Sequence, residues 1–325
     1  MLVIGVDIGG TKCAVSLGEV TRGCVNILHK CEIRKTKSYT PTEMLDQLVE
    51  DINLCKKVAG VGEVKGIGIS CGGPLDSKTG TILSPPNLPG WDHIAITDYF
   101  QKQTGLSCWL CNDANACALA EWKLGAGKGS SNMVFMTFGT GLGAGIILNN
   151  RLYCGACDMA GEIGHIRLSD FGPTGYGKMG SFEGFCSGGG IAQLAKSMIR
   201  EELQAGRSSA LCKGLDELET VTAAKVGAAA KNGEPLACEI LKTVGLQLGK
   251  GLSVLIDLLN PECVVIGSIF VKSYDEIWPY ARQVIERETL PMTRAACRIL
   301  PSQLSDSVGD IASLIVADYN IGLRY

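Results

Sequence analysis

The sequence predicts an α/β protein built as two lobes around a central cleft. Its 325 residues exceed one ordinary domain and fall short of three. Apolar, strand-like runs alternate with segments of helical spacing. The same short layout, an apolar strand, a Gly/Thr turn and a second apolar strand, occurs around residues 9–12 and again around 139–142, as a weak internal repeat.

The elements follow in order. The β-branched run Leu2 to Ile8 ends at Gly9-Gly10-Thr11-Lys12 and resumes at Cys13 to Leu17, which reads as a hairpin with a glycine turn. Residues 43–57 place Leu45, Leu48, Val49, Ile52 and Leu54 at near-helical spacing, and Gly66 to Ser70 reads as a short buried strand. Segment 72–92 is rich in Gly, Pro, Asn and Asp and reads as a long surface loop with its tip at Pro85 to Trp91. A strand at 107–111 gives way to a helix at 114–124, so Asp113 falls at a strand-to-helix junction. Strands at 132–138 and 143–148 flank the second turn. The remainder reads as helices at 188–205, 222–232, 236–258 and 273–289, a strand at 262–266, and a closing helix from Val308.

Composition narrows the function. With 46% hydrophobic and 19% charged residues the chain has the makings of a compact globule and not of a disordered one. A net charge of -3, with Lys and Arg dispersed, argues against nucleic acid as a partner. The apolar runs are far shorter than the roughly 20 residues of a membrane helix, and the N-terminal run is broken by Asp7, so neither span nor signal peptide is expected and the protein is expected in the cytoplasm. Fifteen cysteines, several inside apolar strand-like runs, read as buried free thiols of a reducing compartment.

Phosphate binding needs backbone N–H groups that can approach closely, with hydroxyl or ammonium donors nearby. Gly9-Gly10-Thr11-Lys12 and Gly139-Thr140-Gly141-x-Gly143 both supply these. Asp7, before the first turn, is placed to orient Mg²⁺ through water. A plain hairpin turn with a solvated Asp would explain one such turn; two favour a nucleotide. Neither turn matches G-x-G-x-x-G or the P-loop pattern, so dinucleotide enzymes and P-loop NTPases are unsupported. For Asp113 two readings are equal on the residues alone: a base that takes a proton from an attacking hydroxyl, or a helix cap. Asn112 either binds hydroxyls or ends a strand. Glu162, His165 and Glu183 offer acceptors and donors for a polyol. Cys154 and Cys157 resemble half a zinc site, but Cys108 and Cys111 lie on a strand whose side chains alternate, so free thiols are expected.

Taken together and in order, Asp7 to Lys12, Gly73-Pro74, Pro86 to Trp91, Asn112 to Ala116, Phe138 to Gly143 and Gly161 to Ile166 resemble the signatures of the ROK family of repressors, open reading frames and kinases. The resemblance implies the actin-like, ribonuclease H-like ATPase fold. It implies a small lobe of residues 1–112 joined by a C-terminal helix at about 308–325, and a large lobe of 113–307. It further implies an ATP-dependent sugar kinase, usually a homodimer, with ATP and Mg²⁺ as cofactors. Asp113 then becomes the general base. Gly73, Asn87, Asn112, Glu162, His165 and Glu183 become sugar contacts, and Asp7, Gly9, Gly10, Thr11, Lys12, Gly139, Thr140, Gly141 and Gly267 fall around the nucleotide. Gly73-Pro74 and Pro86-Asn87 look most like the glucokinase branch, with N-acetylhexosamine or fructose kinase as the alternative.

Two departures stand out. Many members bind zinc through the histidine and three cysteines, whereas here Thr174, Tyr176 and Ser181 occupy the cysteine positions, so zinc is not expected and packing by Tyr176 and Phe182 must hold the loop. Members usually carry a glycine triplet beside the adenosine; here the run is Ile266-Gly267-Ser268-Ile269-Phe270. A DNA-binding repressor is disfavoured because Asp7 comes so soon after the first residue. A sugar-binding protein without catalysis is the other rival, opposed by Asp113 and both turns.

Overall fold

The structure, a computed structural model, describes residues 1–304 and 308–323. Its main strands are β1 (Leu2–Ile8), β2 (Lys12–Thr21), β3 (Cys24–Lys30), β4 (Val64–Cys71), β5 (Cys108–Asn112), β6 (Met133–Met136), β7 (Ala144–Leu148), β8 (Arg151–Tyr153), β9 (Cys263–Ile266) and β10 (Arg298–Pro301). Its main helices are α1 (Pro41–Ala59), α2 (Ile96–Thr104), α3 (Asp113–Leu124), α4 (Gly188–Gln204), α5 (Ala223–Lys231), α6 (Pro235–Leu259), α7 (Tyr274–Glu288) and α8 (Val308–Gly322). Packing divides the chain into two compact units: residues 1–129, 145–160 and 303–325 form unit one, and 130–144 with 161–302 form unit two. The boundary expected after Asn112 thus falls inside unit one, because α3 packs on α8 there.

Unit one is a layered sandwich around a sheet of order β3-β2-β1-β4-β5. β1 and β2 pair antiparallel from Leu2↔Glu19 to Ile8↔Cys13, while β4 runs parallel to β1 and to β5. The period of two along β1 decides which residues meet which layer. Ile4, Val6 and Ile8 join Met44, Leu48 and Ile52 of α1 in one core. On the other face small residues let α8 lie close to the strands. A Cβ on Gly68 would stand 2.0 Å from Ser313 O, and one on Gly5 2.3 Å from Ser313 Oγ. Helix α1 is held at its start by a capping box, in which Thr40 and Glu43 bond each other's backbone N–H groups. The buried carboxylate of Glu121 accepts from Ala126 N at 2.8 Å and Leu304 N at 2.9 Å, tying the end of α3 to the segment that leads into α8.

Unit two has a parallel core of β6, β9 and β10, with registers Met133↔Cys263 and Cys263↔Arg298. Helices α6 and α7 pack closely, with Val244, Leu248 and Leu252 of α6 and Ile277, Ala281 and Ile285 of α7 in the unit's main core. All fifteen cysteines carry free thiols. No helix among the described residues is long and apolar enough to cross a membrane.

Candidate active site

In unit one Asp7 emerges near the end of β1 beside Ser70 of β4. Burial, then the charges of Asp113 and Asp310, raise its carboxyl to about 6, against the opposing pull of Lys12 and the Ser70 hydroxyl. Asp310 sits in the first turn of α8 and is paired with Lys30. The neighbouring Gly309 lies so near that a Cβ there would stand 3.5 Å from Asp7 Oδ2.

The strand-to-helix junction gives Asn112 and Asp113 different surroundings. Asn112 is the N-cap of α3: its Oδ1 accepts from Ala114 N at 3.0 Å and from Asn115 N at 3.4 Å. Asp113 is the first helical residue, and its Oδ1 accepts from Ala114 N at 2.8 Å. Its side chain reaches solvent, yet the protein around it removes enough water to raise the carboxyl above its ordinary range. Gly72 and Gly73 line this junction, with Cβ positions 3.9 Å from Asp113 Oδ2 and 3.2 Å from Asn112 Nδ2 respectively.

The first glycine turn closes through Gly9 N to Lys12 O at 3.0 Å, and Thr36 braces it by donating to Gly9 O at 2.6 Å. Asn87 lies against Gly10. Thus Asp7, the first turn, Gly73, Asn87, Asn112 and Asp113 belong to unit one, while Thr11 and Lys12 are exposed beside them.

In unit two the second turn is closed by Gly139 N to Gly141 O at 3.1 Å and docked on the start of α4 by Gly188 N to Gly139 O at 2.7 Å. Glu183 reaches under it and accepts Leu142 N at 3.0 Å. One carboxylate oxygen expected for a sugar therefore supports the turn. Gly164 packs against Leu142 O and Glu183, which brings Gly161 to His165 alongside. Glu162 is exposed, and His165 sits edge-on to Tyr176 at 5.5 Å between ring centroids.

The loop after His165 is held by hydrogen bonds and one buried ring. Lys178 Nζ donates to His165 O at 2.7 Å, Ser181 caps the helical turn Phe182–Phe185 through Gly184 N at 3.1 Å, and Gln193 bonds both N and O of Thr174. Phe182 is fully buried against Gly251. Tyr176 is not the packing residue expected of it: it is 72% exposed, on the tight turn between the paired segments Thr174–Gly175 and Lys178–Met179. No cluster of three or more His, Cys, Asp or Glu side chains suited to a metal occurs among the described residues.

A cavity of about 630 Å³ opens beside the second turn. One end carries Gly139 and Thr140. Its walls are the small residues Gly188, Gly189, Ala224, Gly227 and Ala228, and Lys231 and Lys272 also line it. The walls are thus small and mostly apolar, with the glycine turn at one end. Gly267, expected at the nucleotide, is instead buried against Phe135, and Ser268 is the residue that lines the cavity. Sequence reading missed Asp310, Lys231 and Lys272, which carry no local motif. The Ser187-Gly188-Gly189-Gly190 run at the start of α4 was a legible signal that went unused.

Comparison with known proteins adds the family. The ROK family model matches residues 3–318. A glucokinase of Halalkalibacterium halodurans is 32% identical over 314 residues, spanning 95% of this chain and 92% of that protein. The structure of a ROK family glucokinase from Streptomyces griseus, in complex with glucose and AMPPNP, superposes with a TM-score of 0.76 at 29% identity, over 98% of this chain and 100% of that one. A xylose repressor of Caldicellulosiruptor bescii is 30% identical over 206 residues, 63% of this chain and 50% of the repressor. The fold is accordingly the actin-like, ribonuclease H-like ATPase fold, and the chain belongs to the ROK family.

Proposed function

We propose that this chain, a sugar kinase, transfers the γ-phosphoryl group of ATP to a hydroxyl of a hexose, with glucose as the first candidate and Asp113 as general base. The observation that carries the reading is the division of labour at the head of α3. Asn112 does the capping, so Asp113 keeps a solvent-reaching carboxylate, raised above its ordinary range, to accept a hydroxyl proton. The glucokinase relatives support the same reading.

Phosphoryl transfer asks a protein mainly for positioning and charge stabilisation. In unit one Gly10 and Thr11 offer N–H groups, Thr11 a hydroxyl and Lys12 an ammonium for phosphate, on a turn that Gly9 N closes. In unit two Thr140 and Gly141 offer N–H groups and a hydroxyl on a turn that Gly139 N closes, next to a cavity whose size and small walls suit a nucleoside. The charges of Asp113 and Asp310 raise the cost of ionising Asp7, a surplus of negative charge that fits a divalent cation. Asp7 would orient Mg²⁺ through water, and the ion would supply charge neutralisation at the phosphates. The hexose contacts in unit one are Gly73, Asn87, Asn112 and Asp113; in unit two they are Glu162 and His165, with the second oxygen of Glu183. The protein is further proposed to act in the cytoplasm as a homodimer.

The test is ADP release from ATP and Mg²⁺ across glucose, fructose, mannose, N-acetylglucosamine and N-acetylmannosamine. Hexose-dependent release that disappears in Asp113→Asn supports the reading. The repressor relative favours a second one, sugar binding without turnover. Binding of a sugar with no ADP release from any of the panel would establish it.

A further inference from the structure

The backbone on both sides of Ser268 is pinned, to the end of β6 and to the segment that follows it. Gly267 N donates to Met136 O at 3.0 Å, and Ile269 N donates to Phe138 O at 2.9 Å. Between these fixed points Ser268 adopts φ 54° and ψ -113°. Glycine enters that region readily, whereas a residue with a Cβ rarely does. Strain of this kind persists where the surroundings over-determine it, and an observed outlier is a reason to ask what the side chain is for.

The serine hydroxyl has no local task. Ser181 and Ser187 each cap the helix that follows them, at 3.1 Å and 3.0 Å, but Ser268 makes no capping bond to the short helix Ile269–Lys272. Among the described residues its hydroxyl has no hydrogen-bond partner. It is exposed, it lines the cavity of unit two, and its Oγ lies 3.7 Å from where a Cβ on Gly139 would be. A strained residue therefore presents an unspent donor beside the glycine turn that carries the phosphate-binding N–H groups.

We propose that Ser268 donates a hydrogen bond to the phosphate chain of the nucleotide next to Gly139 and Thr140, and so sets affinity for the phosphorylated donor as against the bare nucleoside. This rests on the kinase reading above.

The experiment is calorimetric titration of wild type, Ser268→Gly and Ser268→Ala with MgADP and with adenosine, alongside thermal melts without ligand. Ser268→Gly relieves the backbone and is expected to raise Tm by about 1 to 4 °C. Both variants are expected to weaken MgADP about tenfold, as for a lost hydrogen bond to a charged group, with adenosine changed less than about twofold. Unchanged MgADP affinity in both variants overturns the proposal, as does an equal loss for adenosine. A fall in Tm for Ser268→Gly overturns the strain on which it rests. Wild type that binds neither MgADP nor adenosine would instead remove the kinase reading itself.

Discussion

Gly10 and Asn87 are in contact through their backbones: a Cβ on Gly10 would stand 2.4 Å from the carbonyl oxygen of Asn87. The first glycine turn and the tip of the 72–92 loop are thereby fitted to each other, so phosphate-binding and sugar-binding candidates share one packing contact. Gly10→Ala is expected to push the loop away, at a cost of about 1–3 kcal/mol for overpacking. Thermal melts and steady-state kinetics should show lower Tm and a raised KM for hexose. Unchanged hexose KM would mean that the loop position is immaterial to the sugar.

At the head of α3 the capping residue and the proposed base are neighbours. Asp113→Asn is expected to lower kcat about 10²- to 10⁴-fold while leaving Tm near that of wild type, since the cap is elsewhere. Asn112→Ala is expected to lower stability by about 1 kcal/mol. Measuring both variants by activity and by denaturant melts checks the assignment; a large stability loss in Asp113→Asn would return that residue to a structural role.

Asp7 gives stability a pH dependence of definite sign. Its carboxyl moves from 3.8 to about 6 on folding. Between those values the native protein holds a proton that the unfolded chain has released, so stability falls as pH rises from about 4 through about 6. Tm of wild type should therefore decline over this window, and Asp7→Asn should flatten the decline. Mg²⁺ added at neutral pH should raise the Tm of wild type and leave that of the variant unchanged.

Glu183 is expected to act on the second turn. Glu183→Ala removes the acceptor of Leu142 N and should raise KM for ATP more than KM for hexose. Glu183→Gln keeps an acceptor and should restore ATP affinity. A selective rise in hexose KM in the Gln variant would assign the carboxylate to the sugar.

The loop after His165 is expected to stand without metal. Treatment with a strong zinc chelator should leave Tm unchanged, whereas Ser181→Ala, which removes a buried cap, should cost about 1 kcal/mol. A chelator-induced fall in Tm would show that metal is structural after all.

Elements with at least one buried face were legible in the sequence. The hairpin of β1 and β2, α1, β4, β5, α6 and β9 follow from apolar periodicity or unbroken apolar runs, because nearly all their buried side chains meet a core. β3 escaped because most of its residues are exposed, which erases alternation, and β10 because a four-residue edge strand ending in proline leaves little pattern. Helix α2 carries Ile96, Phe100 and Thr104 on its buried face, a signal hidden behind the Pro/Gly-rich loop. At the site, Gly turns and the Asn112-Asp113 junction were readable because their chemistry is local. The influence of Asp310 on Asp7 was not, since it is made by α8 returning to β1 some 303 positions along the chain. Nor could composition tell that Gly267 would be buried and its neighbour Ser268 would face the cavity.

The contact of α8 with Gly5 and Gly68 has a consequence for biosynthesis. The sheet of unit one is built from residues 2–112, but the helix that covers its glycine face ends at Gly322. At a synthesis rate of about 5–20 residues per second, that face waits uncovered for about ten seconds or more after its last strand has been made. Throughout that interval the nascent sheet exposes a smooth strip of backbone, and a chaperone that shields it would guard the site around Asp7 before any sugar or nucleotide is bound.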